Sequence, residues 1–251
     1  MLILGIDTST NIGSVALYST ETGLVGEMTI NIKKTHSENI MVQLDNLLKI
    51  TGTQMKDVDK ISVSTGPGSF TGIRIGVAAA KGLASSGDFK IAGVNELDAI
   101  ASMSTDNDVE ICSLIDARKE RAYHCLYKYN KGSLERLEEY AVGELREYLE
   151  TRKNKKTLYL GDGAIKYKDL ICEVVNENAK FAKNSLTLPR ASVVAELSIS
   201  KEDNLYTMEP FYLSKTQAER QKEEQERKNK WKTLKKVFFL CKKKENYDII
   251  I

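Results

Sequence analysis

The segment Ser64–Ala84, STGPGSFTGIRIGVAAAKGLA, restricts the possible folds of this chain more than any other stretch. Gly66 and Gly68 flank Pro67 in a tight loop. A strand over Lys60–Ser64 leads into that loop, and Ser69 or Thr71 opens a helix running to about Ala84. Two glycines, Gly72 and Gly76, fall inside the helix, where each costs about 1 kcal/mol against alanine. Such a pair needs a compensating gain, and the close approach of another backbone supplies one. With Ala79 and Ala80 they make a small-residue face, bordered by Ile73, Ile75 and Val77. The approaching element is either the chain's own first helix, expected over Ser37–Ile50, or a helix of another chain. The loop also aims N–H groups beyond the helix N-terminus, where a phosphate could sit. Its spacing matches neither GxGxxG nor GxxxxGK[ST].

The elements around this segment alternate in a readable order. Leu2–Ile6 is a short apolar run ending at Asp7, a buried strand. Ser14–Ser19 and Leu24–Ile32 follow as strands joined at Glu21-Thr22-Gly23. Their turns are too short for crossovers, which predicts antiparallel pairing. A helix then opens with Thr35 as N-cap and Glu38 completing a capping box. Ile40, Leu44, Leu47 and Leu48 form its apolar stripe, Met41 and Val42 widen it, and Gly52 suits the C′ position. Ile91–Val94 is a further strand and Leu97–Met103 a helix. Strand–helix–strand units of this kind predict parallel pairing.

From about residue 105 the pattern starts again. Val109–Ile115 is a strand, Asp116–Glu120 a hairpin turn, and Arg121–Tyr129 a strand with Tyr123, Cys125, Tyr127 and Tyr129 on one face and His124 on the other. Thr157–Leu160 leads into Gly161-Asp162-Gly163 and a helix; Ser192–Ile199 is helical. The organisation expected is an N-terminal lobe over 1–104, a C-terminal lobe over 105–210, and a charged helix with a basic tail over 211–251. That tail holds 12 Lys or Arg against 6 Asp or Glu, a net of +6, while the chain as a whole carries +2. With Trp231, Phe238 and Phe239 it could contact RNA, or be a solvated helix end.

Several function classes fall away on composition. Four dispersed cysteines, Cys112, Cys125, Cys172 and Cys241, form no CxxC pair and read as free thiols. Two histidines, His36 and His124, cannot build a His-rich metal site. No apolar run approaches 18 residues, and the N-terminus lacks a basic region before Asp7, so neither a membrane span nor a signal peptide is expected, and a cytoplasmic location is. The strand ending in GIDTST places Asp7, Thr8 and Ser9 where hydroxyls and backbone N–H groups could touch a phosphate. The same residues could instead satisfy their own turn.

These motifs together resemble the TsaB (YeaZ) family: ILGIDTST at the start, THSENI opening the first helix, STGPGSFTGIRIG followed by AKGLA, LIDARKERAYHCLY at 114–127, GDGA at 161–164 and EPFYL at 209–213. The resemblance covers about residues 1–220. It implies an α/β fold of the actin/Hsp70/sugar-kinase (ASKHA) type, with two lobes each built on a βββαβα core. It also implies a role in making threonylcarbamoyladenosine beside the anticodon of ANN-decoding tRNAs. There a paralogue, TsaD, carries the metal and transfers the threonylcarbamoyl group, and an ATPase, TsaE, joins the complex. TsaD-like relatives carry two metal-binding histidines in a segment that here reads VNELDAIA, with Glu96 and Ile100 at the matching positions. An isoleucine cannot bind a metal. After EPFYL the family pattern has arginine, whereas Ser214 and Lys215 stand here.

The expectation is therefore a non-catalytic scaffold subunit with no catalytic residue, metal or cofactor of its own. ATP and a metal belong to its partner subunits, and tRNA is met only through the complex. The two N-terminal helices are expected to form a four-helix interface with TsaD, or a homodimer when alone. Ile40, Leu44, Leu47, Gly72, Ile73, Gly76, Val77 and Ala80 are its candidate residues, and periodicity does not divide Ile40, Leu44, Leu47, Ile73, Val77 and Ala80 between buried and interfacial positions. Two other classes remain. A free-standing ATP-dependent enzyme, such as a small-molecule kinase, would use Asp7, Thr8 and Ser9 around phosphates and Gly161 and Gly163 near adenosine. A zinc peptidase would need ligands that the sequence does not cluster.

Overall fold

Leu2–Asp7 (β1), Ile12–Ser19 (β2) and Gly23–Asn31 (β3) form an antiparallel meander. Gly23 takes φ +80° at the turn, in the left-handed region open to glycine. The helix His36–Thr51 (α1) follows and ends where Gly52 adopts φ +68°, as the C′ reading expects. This computed structural model describes residues 1–31, 36–106 and 108–214, without the side chains of 36–38. The expected N-cap at Thr35, the capping box at Glu38, the His36 side chain and the charged helix and basic tail therefore lie outside the described residues.

Lys60–Gly66 (β4), Phe70–Ser85 (α2), Lys90–Asn95 (β5) and Glu96–Ser102 (α3) complete the first half. Parallel pairing of β4 with β1 and of β5 with β4 gives a five-stranded sheet in the order β3-β2-β1-β4-β5. Alternation along β1 divides its contacts between two faces. Leu4 and Ile6 join Ile40, Leu44, Leu47, Ile73, Val77 and Ala80 in one core beneath α1 and α2. Gly5 points the other way, where an added Cβ would stand 2.1 Å from the Ala191 carbonyl oxygen.

The second sheet repeats the plan. Glu110–Asp116 (β6) pairs antiparallel with Arg121–Asn130 (β7), and β7 with Ser133–Arg136 (β8) and Ala141–Glu144 (β9). Leu145–Glu150 (α4) precedes Thr157–Leu160 (β10), which runs parallel to β6 and to Ala179–Phe181 (β11). Asp162–Lys166 (α5) and Lys168–Val175 (α6) lie between those two strands. Tyr123, Cys125 and Tyr127 share one core with α3, while Ala122 and Leu126 face the other, so the predicted alternation of β7 is present.

Ala191–Leu197 (α7) packs on β1 from the side opposite α1 and α2. The strap after it stays with the first sheet: Asp203 N–H donates to Ile91 O at 2.8 Å and Phe211 N–H to Thr65 O at 2.8 Å. So although 190–213 follow the second sheet in sequence, much of their contact is with the first. Lys60 anchors this return. Its buried Nζ donates to the carbonyls of Ser198, Ile199 and Lys201 at 2.9, 3.1 and 2.7 Å, capping the C-terminal end of α7. Met1–Leu213 is one compact unit. No described helix is long and apolar enough to cross a membrane.

Candidate functional site

Parallel register brings the ends of β1, β4 and β5 side by side, so Asp7, Ser64 and Glu96 meet at one edge of the first sheet. Asp7, Thr8, Ser9 and Thr10 are all buried. The turn satisfies much of its own polarity: Ser9 N–H donates to Asp7 Oδ1 at 2.9 Å and Ile12 N–H to Thr10 Oγ1 at 3.1 Å. Thr8 Oγ1 donates to Gly72 O at 2.7 Å. Ser69 N–H, at the mouth of α2, donates to Ser9 O at 2.6 Å, and Gly72 N–H to the Ser69 side chain at 3.3 Å. Two N–H groups at this helix start that a phosphate could use, those of Ser69 and Gly72, are thus already engaged inside the fold.

The glycines explain this closure. A Cβ on Gly72 would stand 2.0 Å from Thr8 O, one on Gly76 2.4 Å from Thr8 Oγ1, and one on Gly68 2.1 Å from Ser9 O. The small face of α2 exists so that the β1–β2 turn can lie against it. The interface candidates lie on this inner side of the two helices. Ile40, Leu44, Leu47, Ile73, Val77 and Ala80 are at most 4% exposed, Gly72 and Gly76 are buried too, and the apolar six belong to the core of their own lobe. Met41 and Val42, read as widening the buried stripe, are 44% and 57% exposed.

In the second half, Gly161 at φ +96° would place a Cβ 2.1 Å from Leu114 O, and Gly163 one 3.0 Å from the same carbonyl. The GDG loop is packed against β6 as the GPG loop is packed against the β1–β2 turn. Asp162 Oδ1 accepts from Asp116 N–H at 3.0 Å. Asp116 in turn accepts from Arg118 N–H at 2.8 Å, Tyr167 OH at 2.7 Å and Lys166 Nζ at 2.5 Å. Burial pushes this carboxyl up, but the hydrogen bonds outweigh it and its pKa is lowered. Asp116 therefore ties the hairpin to α5 and α6, beyond merely closing a turn.

Two polar features had little sequence signal. Glu96 reads as an acidic residue favourable in a first helical turn, yet it is fully buried and its Oε2 accepts from Ser64 Oγ at 2.7 Å. His124, read only as a strand residue, is buried and stacks on Tyr148 with ring centroids 3.8 Å apart. Burial pulls its pKa down to about 4. An unfolded histidine takes up a proton near pH 6.5 that the folded one refuses. Stability is then complete above that pH and falls as pH drops toward 4, by up to ~3 kcal/mol. His124→Phe, which keeps the stack, is expected to flatten this acid arm in urea titrations at pH 7 and pH 4.5; an unchanged arm would assign it elsewhere.

Among the described residues, no group of three or more His, Cys, Asp or Glu side chains is placed to hold a metal ion. Ile100, at the second of the VNELDAIA positions, is buried in the core that α3 shares with the second sheet.

The family model described as "TsaD: tRNA N6-adenosine threonylcarbamoyltransferase" matches residues 20–222. The chain is 35% identical over 222 residues to the "tRNA threonylcarbamoyladenosine biosynthesis protein TsaB" of Bacillus subtilis, covering 87% of this chain and 96% of that one. It is 32% identical over 136 residues to the Escherichia coli protein of the same description, covering 53% and 58%. The solved structure of YeaZ from Pseudomonas aeruginosa superposes with a TM-score of 0.68 at 24% identity, over 84% of this chain and 99% of that one. That likeness and the strand order β3-β2-β1-β4-β5 give the ASKHA-type α/β fold. With the close match to the Bacillus relative along nearly its whole length, this chain belongs to the TsaB (YeaZ) family, inside the broader group that the TsaD model describes.

Proposed function

We propose that this chain is a non-catalytic subunit of the machinery that makes threonylcarbamoyladenosine in tRNA, and that it supports a TsaD-type transferase. One observation carries the reading. At the edge where a kinase of this fold class would seat phosphates, Ser69 N–H and Thr8 Oγ1 are hydrogen-bonded within the chain, and Thr8 and Ser9 carbonyls fill the space that glycines leave open. The names of the relatives supply the pathway.

The partner surface in this reading is the outward side of α1 and α2, not their buried side. Met41, Val42 and Ile50 on α1 are large, apolar and exposed, and Ala78 is exposed on α2. Apolar residues of this kind dock well against a second pair of helices, from TsaD or from another copy of this chain. TsaE and ATP enter through the assembled complex, and tRNA through the transferase.

Reconstitution with TsaD and TsaE from the same cell tests this. Omitting the chain is expected to abolish modified nucleoside formation, and the chain alone with ATP and magnesium is expected to show no turnover. Val42→Asp is expected to weaken capture of TsaD at least tenfold with an unchanged melting midpoint. ATP turnover by the purified chain, or full nucleoside formation without it, would overturn the reading.

A further inference from the structure

The two sheets are joined through α3, and its attachment to each differs in kind. Its first turn is fixed to the first sheet. Asn95, which pairs with Gly66 at the end of β5, caps the helix by accepting from Leu97 N–H at 2.9 Å. Glu96 Oε2 accepts from Ser64 Oγ of β4 at 2.7 Å. On one flank Ala99 packs with Val194 of α7, the helix that lies on β1. On the other, Leu97, Ile100 and Ala101 are buried in the core of the second sheet.

That last contact is apolar, and apolar contact has no direction of its own. Held by it alone, α3 could slide over the second sheet at small cost. Asp98 removes that freedom. Its Oδ1 accepts from Tyr127 OH at 2.8 Å, and Tyr140 OH donates to Oδ1 and Oδ2 at 2.9 and 2.8 Å. Tyr127 belongs to β7 and is 2% exposed, and Tyr140 stands between β8 and β9. The Tyr140 ring is itself held from two sides. The Arg136 guanidinium lies 4.3 Å from its centre, and Phe211 meets it edge-on with centroids 5.6 Å apart. Phe211 N–H is bonded to Thr65 O of β4, so a second route runs from Tyr140 back to the first sheet.

We propose that Asp98, Tyr127 and Tyr140 are a clasp that fixes the first sheet against the second, so that the folded chain has one inter-sheet geometry and does not open and close. Sliding or rotation at α3 would leave a half-buried carboxylate and the buried Tyr127 hydroxyl without partners, a loss that hydrophobic contact in a new register does not offset. Hydrogen bonds to a charged acceptor are the strong kind, and they hold to a narrow range of angles. Enzymes built from two lobes often close them around a substrate, and the clasp opposes that motion. The compact unit Met1–Leu213 includes both sheets, as a locked joint requires. The inference stands on this geometry alone and is independent of the pathway reading.

The test uses the full chain with Cys172→Ser and Cys241→Ser, leaving the buried Cys112 and Cys125 in place. Spin labels go on Ile50→Cys in α1 and Lys131→Cys in the turn between β7 and β8, both exposed positions. Pulsed electron resonance is expected to give one narrow distance, unmoved by ATP and magnesium. In Tyr127→Phe/Tyr140→Phe the same distance is expected to broaden or split, with hydrogen exchange quickened in α3 and unchanged in β1 and β6. Two distances in the labelled chain with its tyrosines intact, or one that shifts with ATP and magnesium, would overturn the proposal whether or not the double variant folds. So would a double variant as narrow as its parent. Exchange quickened equally in β1, β6 and α3 would overturn it too, because the hydroxyls would then serve the fold at large and not the joint.

Discussion

Gly72→Ala is expected to destabilise the folded chain by about 2 kcal/mol or more, although alanine is the better helix former. Propensity alone favours the substitution by ~1 kcal/mol. Packing opposes it, because the new Cβ would lie 2.0 Å from the carbonyl oxygen of Thr8, a backbone atom with little freedom to move. The Thr8 side chain is also bonded to Gly72 O, and Ser9 O to Ser69 N–H, so the turn cannot retreat without breaking both. Overpacking of a tight core costs about 1–3 kcal/mol, and here a backbone must shift as well. Gly82 provides the contrast. It lies in the same helix with nothing within 4 Å of its would-be Cβ. Gly82→Ala is therefore expected to gain up to ~1 kcal/mol. Urea unfolding of the two variants checks the pair, and equal effects would remove close packing as the reason for Gly72. By the same geometry Gly76→Leu reports on folding and is no probe of partner docking, since its Cβ would meet Thr8 Oγ1 at 2.4 Å.

Lys60→Met is the second large effect, expected at about 3 kcal/mol or more. Methionine keeps the length and apolar stem of lysine but donates nothing. The carbonyls of Ser198, Ile199 and Lys201 would lose the ammonium that gathers them. Each buried acceptor left without a partner costs about 1–3 kcal/mol. The consequence is also local, because these carbonyls end α7 and start the strap that returns to β5 and β4. Hydrogen exchange should therefore quicken over 191–211 more than in the second sheet. Lys90 is the control: its ion pair with Glu202 is more than half exposed on both sides, so Lys90→Met should change little. Uniform exchange in Lys60→Met would mean that the lysine supports the whole fold and not this return segment.

Much of the fold was legible in the residues because it is encoded locally. An apolar run marked β1, alternation marked β7, the glycines at 23 and 52 marked a turn and a helix end, and Ser69, one of two candidates with Thr71, marked the start of α2. The short elements were not legible. β8, β9 and β11 have three or four residues and α4 has six, too few to display a period.

The candidate site divides in the same way. Periodicity and spacing alone established that α2 carries a small-residue face that something must approach and that Asp7 ends a buried strand. Those are properties of neighbours along one element. Tertiary structure decided that the carbonyl of Thr8 comes up against Gly72, that Lys60 caps a helix 138 residues away, and that Ser64 meets Glu96. Each of these is a contact between strand ends or helix ends brought together by sheet order. A repeating pattern tells which side of an element is buried, but it carries no information about which distant atom fills the space on that side.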